Sequence, residues 1–325
     1  MGAGWVAGVT RARALRTRCL GEDGVRNVAE SGTLEDALRY VAATAYRHDV
    51  ASGATPAEAQ RAVSSALLWH LRVLAGWQPA AGAAAVRALT AGFEISNTEH
   101  HLRSLSAVSP GPAGPGEPGP EGFRPPPYRL GTLALAWTRL ARARTPSELR
   151  TALAASDWGD PGGDSPAEVA TGMRVSAAVR VATAVPGAER WAASRLALLF
   201  GREVFVVGRR IPDASARRAA RLLGPRAVDA GSYAGFREAL PATATWLLDD
   251  VDEAADLWRA EARWWEAVEE DGRELLRRSR FGPHPVVGAV ALLSADAWRT
   301  RGALELAARG GGPGNRSAEV LDAPG

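Results

Sequence analysis

The sequence predicts an all-α protein, and three observations carry that prediction. Alanine supplies 66 of the 325 residues and isoleucine only two. Alanine loses no side-chain entropy in a helix, and the scarcity of isoleucine leaves less β-branched material for sheets. Apolar residues recur at spacings of three and four, as in Val63, Leu67, Leu71 and Leu74. Hydroxyl residues followed by proline or an acid stand where such stripes begin, which is the signature of capped helix starts. Apolar residues at 46% and charged residues at 23% exclude a chain disordered throughout.

The elements follow in order. Residues 5–20 read as a helix with Val6, Val9, Leu15 and Cys19 near one face. Thr33-Leu34-Glu35-Asp36 fits a capping box, with Asp where Glu is usual. Thr55-Pro56-Ala57-Glu58 opens a helix to about Ala75, and residues 80–105 read as one long alanine-rich helix. Ser109–Pro127 holds eight prolines and five glycines in 19 residues and reads as a flexible surface loop. Helical patterning resumes over Leu130–Arg144, and Thr145-Pro146-Ser147-Glu148 is a further cap. The turn at Asp160–Pro166 leads into a helix from Ala167. Residues 188–210 and Leu247–Arg280 read as helices, Phe281–Pro285 as a break and Val286–Arg309 as a last helix. The tail over 310–325 is expected to be disordered.

Composition excludes several activities. All 39 basic residues are arginine, so lysine Schiff bases, lysine general bases and Walker-type phosphate loops are absent. Arg and Asp/Glu interleave, as in Arg259, Glu261, Arg263 and Glu266, which reads as solvated helix faces rather than a nucleic-acid footprint. The single Cys19 permits no intrachain disulfide and sits in an apolar pattern. No run of ~18 apolar residues exists to span a membrane, and the expected location is cytoplasmic. The adjacent His100 and His101 point about 100° apart on a helix and share no metal face, so no metal site and no cofactor is expected. Asp249-Asp250-Val251-Asp252-Glu253 lacks the glycine and distal Glu of a calcium loop and reads as helix capping.

An internal repeat relates three segments: Thr33–Tyr46, Thr145–Trp158 and Ser232–Trp246. Each opens on a hydroxyl. An aliphatic residue follows eight later (Val41, Leu153, Leu240), a hydroxyl at eleven (Thr44, Ser156, Thr243) and an aromatic at thirteen or fourteen. Modules of roughly 100 residues are too long for common solenoids and suggest a pseudo-threefold body.

Phe281-Gly-Pro-His-Pro-Val-Val-Gly288, followed by a helix with Asp296, Arg299 and Arg301, resembles the C subunit of V/A-type rotary ATPases, called subunit d in eukaryotes. Ala7–Leu15 with Arg11 and Arg13 is similar to that family's opening helix, and Leu38–Tyr46 to its aliphatic-x-x-Thr-x-Tyr element. Glu94-Ile95-x-Asn97, then Arg103, resembles its acid-aliphatic-x-Asn helix. Ala289 stands where the family often has Tyr, and Arg299 where it has Asn.

The resemblance implies three related helical subdomains forming a pseudo-threefold funnel. The divisions expected are residues 1–108, 128–222 and 223–309, with the Pro/Gly-rich loop at 109–127 and the tail at 310–325. It implies a non-catalytic socket between the rotor shaft subunits and the membrane rotor ring, serving ion (proton) transport from the cytoplasmic face. Glu94, Asn97, Arg103, Asp296, Arg299 and Arg301 are the expected partner-binding residues or the wiring between helices behind them. The alternative is a helical scaffold or adaptor with no rotary partner.

Overall fold

The structure, a computed structural model, describes residues 3–48, 50–108, 125–278 and 281–310. Every regular element among them is helical. The first group comprises α1 (Ala3–Leu15), α2 (Gly21–Ala29), α3 (Leu34–Ala42), α4 (Pro56–Gly76), α5 (Ala80–Leu89) and α6 (Ala91–Val108). The second comprises α7 (Trp137–Leu140), α8 (Pro146–Ala154), α9 (Pro166–Ala184) and α10 (Glu189–Phe200), which continues as a π-helix over Gly201–Val206. Then come α11 (Asp213–Leu223), α12 (Pro225–Val228), α13 (Tyr233–Ala239), α14 (Ala242–Thr245), α15 (Leu257–Arg278) and α16 (His284–Ala308). Most of the proline-rich segment and residues 311–325 lie outside the described residues, and so do the expectations of a flexible loop and a disordered tail there.

The caps form where local chemistry put them. Thr33, Thr145 and Ser232 each accept the backbone N–H three residues on, and Thr55–Glu58 and Ser165–Glu168 close full capping boxes. The helix expected over 80–105 is two. Thr90 ends α5, its hydroxyl donating to the Val86 and Arg87 carbonyls. The helix expected over Leu130–Arg144 shrinks to one turn, because the amides of Leu135 and Ala136 bind the Glu94 carboxylate instead of helix carbonyls. The stretch from Leu247 becomes α15 only at Leu257, after a turn in which Asp250 takes φ 62°. The acids of that turn therefore do not cap the helix. Asp252 pairs with Arg237 at 2.7 Å, and the Asp249 carbonyl accepts from Arg263.

Four apolar cores form, and they interleave along the chain. One joins α1, α3 and α4 to the C-terminal α16, through Leu38, Val41, Tyr46, Leu71, Leu293 and Leu304 among others. A second gathers Ile95, Leu102, Leu149, Leu153, Trp158 and Met173. A third gathers Phe200, Leu223, Phe236 and Leu247. Each of these three holds one copy of the repeated capped helix. A fourth core, with Ala88, Val185, Trp191, Val268 and Val287, lies where α5, α10, α15 and α16 meet.

The interleaving has a physical cause in α16. Of its 25 residues, 17 are buried, so it has no solvent face and must be surrounded. It packs on α1, α2 and α4 at one side and on α15 at the other. Against α15 the approach is set by paired glycines, since a Cβ on Gly288 would lie 2.6 Å from the Gly272 carbonyl oxygen. That contact gives the glycine of the Phe281–Gly288 motif its reason.

Candidate functional site

Two buried carboxylates repeat one geometry. Asp296, 5% exposed on α16, accepts from the Leu20 and Gly21 amides, both at 2.8 Å, and from the Tyr46 hydroxyl at 2.6 Å. Glu94, 2% exposed on α6, accepts from the Leu135 amide at 2.6 Å, the Ala136 amide at 2.7 Å and Trp158 Nε1 at 3.0 Å. Each acid thus clamps two successive amides at the entry to a helical segment, plus the aromatic that ends a repeat copy. A buried carboxylate is tolerated only when its oxygens are satisfied in this way.

The surroundings repeat as well. Four residues after each acid a fully buried threonine donates to the acid's own carbonyl: Thr98 to Glu94 and Thr300 to Asp296, both at 2.8 Å. The hydroxyls of Thr44 and Ser156 also match, each donating to the carbonyl three residues back and accepting the amide of the aromatic two residues on.

The third copy departs from this pattern. Ser194 is buried and donates to the Arg190 carbonyl, so Arg190 holds the acid's register position. Its guanidinium lies 3.8 Å from the centre of the Trp246 ring, replacing a carboxylate–aromatic hydrogen bond with a cation–π contact. Thr243 does not supply the equivalent hydroxyl bond. Thr245 donates to the Leu240 and Pro241 carbonyls, because Pro241 breaks the helix there.

Asn97 fastens a different junction. Its amide donates to the Tyr128 carbonyl at 2.9 Å and accepts the Tyr128 amide at 2.7 Å. The Tyr128 ring stands edge-on to Phe93 and has the Arg61 guanidinium 3.9 Å from its centre. Arg61 also donates to the Pro126 carbonyl. The chain is thereby anchored where it re-enters after the proline-rich segment.

The arginines are grouped around outnumbered glutamates. Glu99 takes Arg174 at 2.6 Å and Arg103 at 3.9 Å. The buried Glu269 takes both Arg299 and Arg273. Glu261 pairs with Arg195 at 2.6 Å. Burial pushes the Glu261 carboxyl up, but Arg195, Arg202 and Arg301 together outweigh burial and hold it below the ordinary value. Burial is also the main influence on Arg301 and lowers its pKa, while Tyr128 and Glu261 act the other way. Its Nε is buried and has no hydrogen-bond partner. Register places Glu99, Arg195 and Arg301 alike, each directly after the buried hydroxyl of its helix.

The structure therefore separates the six residues singled out from sequence. Glu94, Asn97 and Asp296 are spent inside the chain as junctions. Arg299 is bound to Glu269, on α15, rather than making the backbone junction Asn97 makes at the same register. Arg103 is half-exposed, and Arg301 keeps unspent hydrogen-bonding capacity. Sequence reasoning missed Glu99, Glu261 and Glu269. The signal it could have used is the shared spacing of a clamp residue and a hydroxyl four later: Glu94 and Thr98, Arg190 and Ser194, Asp296 and Thr300. The histidines bond backbone carbonyls, His100 to Ser96 at 2.7 Å and His101 to Ala143 at 2.9 Å. Among the described residues no three His, Cys, Asp or Glu side chains gather as a metal set.

A comparison with family models matches residues 8–164 to the one described as ATP synthase (C/AC39) subunit. No curated protein matches the chain.

Proposed function

We propose, from the membership of residues 8–164 in the ATP synthase (C/AC39) subunit family, that the chain is the central-stalk socket of a V/A-type rotary ATPase. In this reading it grips the rotor shaft subunits, rests on the membrane rotor ring, and makes or breaks no covalent bond itself. It works from the cytoplasmic face and serves ATP-coupled ion transport. Among the described residues no helix is long and apolar enough to cross a membrane, which fits a peripheral place.

The observation that supports the socket role is the contrast between satisfied acids and unsatisfied arginine. A torque-bearing part must be stiff. The Glu94 and Asp296 clamps stiffen it by joining helices far apart in sequence to chain entries through three charge-assisted bonds each. A part that grips must also keep capacity for its partner. The half-exposed Arg103 and the part-exposed Arg301 keep it, and an acidic shaft surface would complete the guanidinium forks. Three related subdomains arranged as a funnel, with boundaries near 108, 128 and 223, belong to the same proposal.

The test is co-expression with the shaft and ring subunits of a V/A-type rotary ATPase from the same source. The wild type should co-purify with the shaft. Arg301→Gln should lose shaft retention by tenfold or more while its melting temperature stays within a few degrees. Failure of the wild type to retain any shaft or ring subunit would favour a helical adaptor without a rotary partner.

A further inference from the structure

A second surface carries charge and aromatic rings that the socket role does not use. Residues 1–20 contain four arginines, at 11, 13, 16 and 18, the last two in the turn after α1, and no acid. Arg16 and Arg18 are exposed, and with Arg11 and Arg47 they make no ion pair among the described residues. Many other arginines of the molecule pair with carboxylates, as Arg174 and Arg103 do with Glu99.

Two large rings stand beside these cations. Trp69 is 45% exposed and Trp77 is 53% exposed, just over two turns apart on and at the end of α4. Arg11 lies 5.8 Å from the Trp77 ring, and His48 lies 5.5 Å from Trp69, which in turn meets His70 at 4.9 Å. Arg18 and Arg11 are close enough to His70 to act on it electrostatically. These interactions bring the charges of α1 and of the turn after it near the turn at 46–48 and the two tryptophans of α4. Val6, 45% exposed on α1, adds a further apolar side chain to that end of the molecule.

Exposed tryptophans flanked by arginines match the layer where hydrocarbon meets headgroups. The rings place their apolar bodies at that boundary, and the guanidinium groups bind phosphate oxygens by paired hydrogen bonds. We propose that this patch docks the protein on an anionic lipid surface. The patch is built from exposed side chains of helices and turns, and two clefts of the described residues lie elsewhere, at Ala134–Arg142 and Ala182–Arg190. A surface that neither cleft enters suits a headgroup layer better than an extended acidic peptide, which needs a groove. The proposal does not depend on the socket reading and stands or falls separately from it.

The test is sedimentation of the full chain with phosphatidylcholine vesicles, with and without about 30% phosphatidylglycerol, at low and at high salt. The wild type should bind the anionic vesicles and lose more than about tenfold of that binding without the anionic lipid or at high salt. Arg16→Glu with Arg18→Glu should lose binding to a similar degree. Both positions are exposed, so the fold is retained, which a thermal melt checks. Arg217→Glu with Arg221→Glu makes the same change of net charge on the exposed face of α11 and should leave binding intact. Trp69→Ala with Trp77→Ala should weaken binding even at low salt. Equal binding to neutral and anionic vesicles, or equal loss in the α11 control, overturns the proposal. So does capture by a polyglutamate peptide without vesicle binding, which would assign the patch to an acidic protein segment.

Discussion

Removing the Asp296 carboxylate tests the clamp directly. In Asp296→Ala, the Leu20 amide, the Gly21 amide and the Tyr46 hydroxyl lose their common acceptor in a site 5% exposed. Bonds to a charged group contribute roughly 1.5–3 kcal/mol each. A simple sum overstates the effect, because removing the acid also removes the cost of burying its charge. The expected loss is about 3–5 kcal/mol, comparable with breaking a buried charged junction and a large share of a typical domain's stability. Tyr46→Phe removes one of the three donors and should cost about 1–2 kcal/mol. Because the two side chains share one bond, Tyr46→Phe should cost much less when Asp296 is already alanine. Urea unfolding followed by far-UV circular dichroism, on the two single variants and the double, reads all three values. A loss below about 1 kcal/mol for Asp296→Ala, or an unchanged Tyr46→Phe cost in both backgrounds, would refute the clamp.

Cys19 and His70 give two further expectations. Burial, and next the nearby Asp296, push the Cys19 thiol up to about 12 from 9.0, so at pH 8 its thiolate fraction in the fold is about a thousandfold below that of the unfolded chain. Alkylation by iodoacetamide should be correspondingly slow until urea unfolds the protein, and equal rates in both states would contradict this burial. The raised thiol pKa also means that stability falls as pH rises above 9. Burial, then Arg18, lowers the His70 pKa below its ordinary 6.5, so the folded state binds fewer protons there than the unfolded state. Stability should be full above pH 6.5 and decline as pH falls below it, a decline that His70→Gln should flatten in melts between pH 5 and 7.5.

Legibility in the sequence followed the range of the interaction. The Thr33, Thr55 and Thr145 caps were readable because donor and acceptor lie three residues apart. The repeat was readable up to its aromatic anchors for the same reason, since Thr44 and Ser156 bond within their own turns. What those anchors bond was not readable. Tyr46 meets Asp296 across 250 residues, and Trp158 meets Glu94 across 64. Helical patterning at Leu130–Arg144 misled because its amides answer to Glu94 on another helix.

The chain's composition and its short-range spacings determined that the protein is helical, where most helices start, and that acids and arginines sit at related places in related segments. Folding decided which of those charges are consumed as internal junctions and which stay available. That division depends on solvent exclusion and on partners brought from distant parts of the chain. Glu94 and Arg301 look alike in sequence as charged helix residues. Only packing leaves one with its acceptors filled and the other with a buried donor unmet.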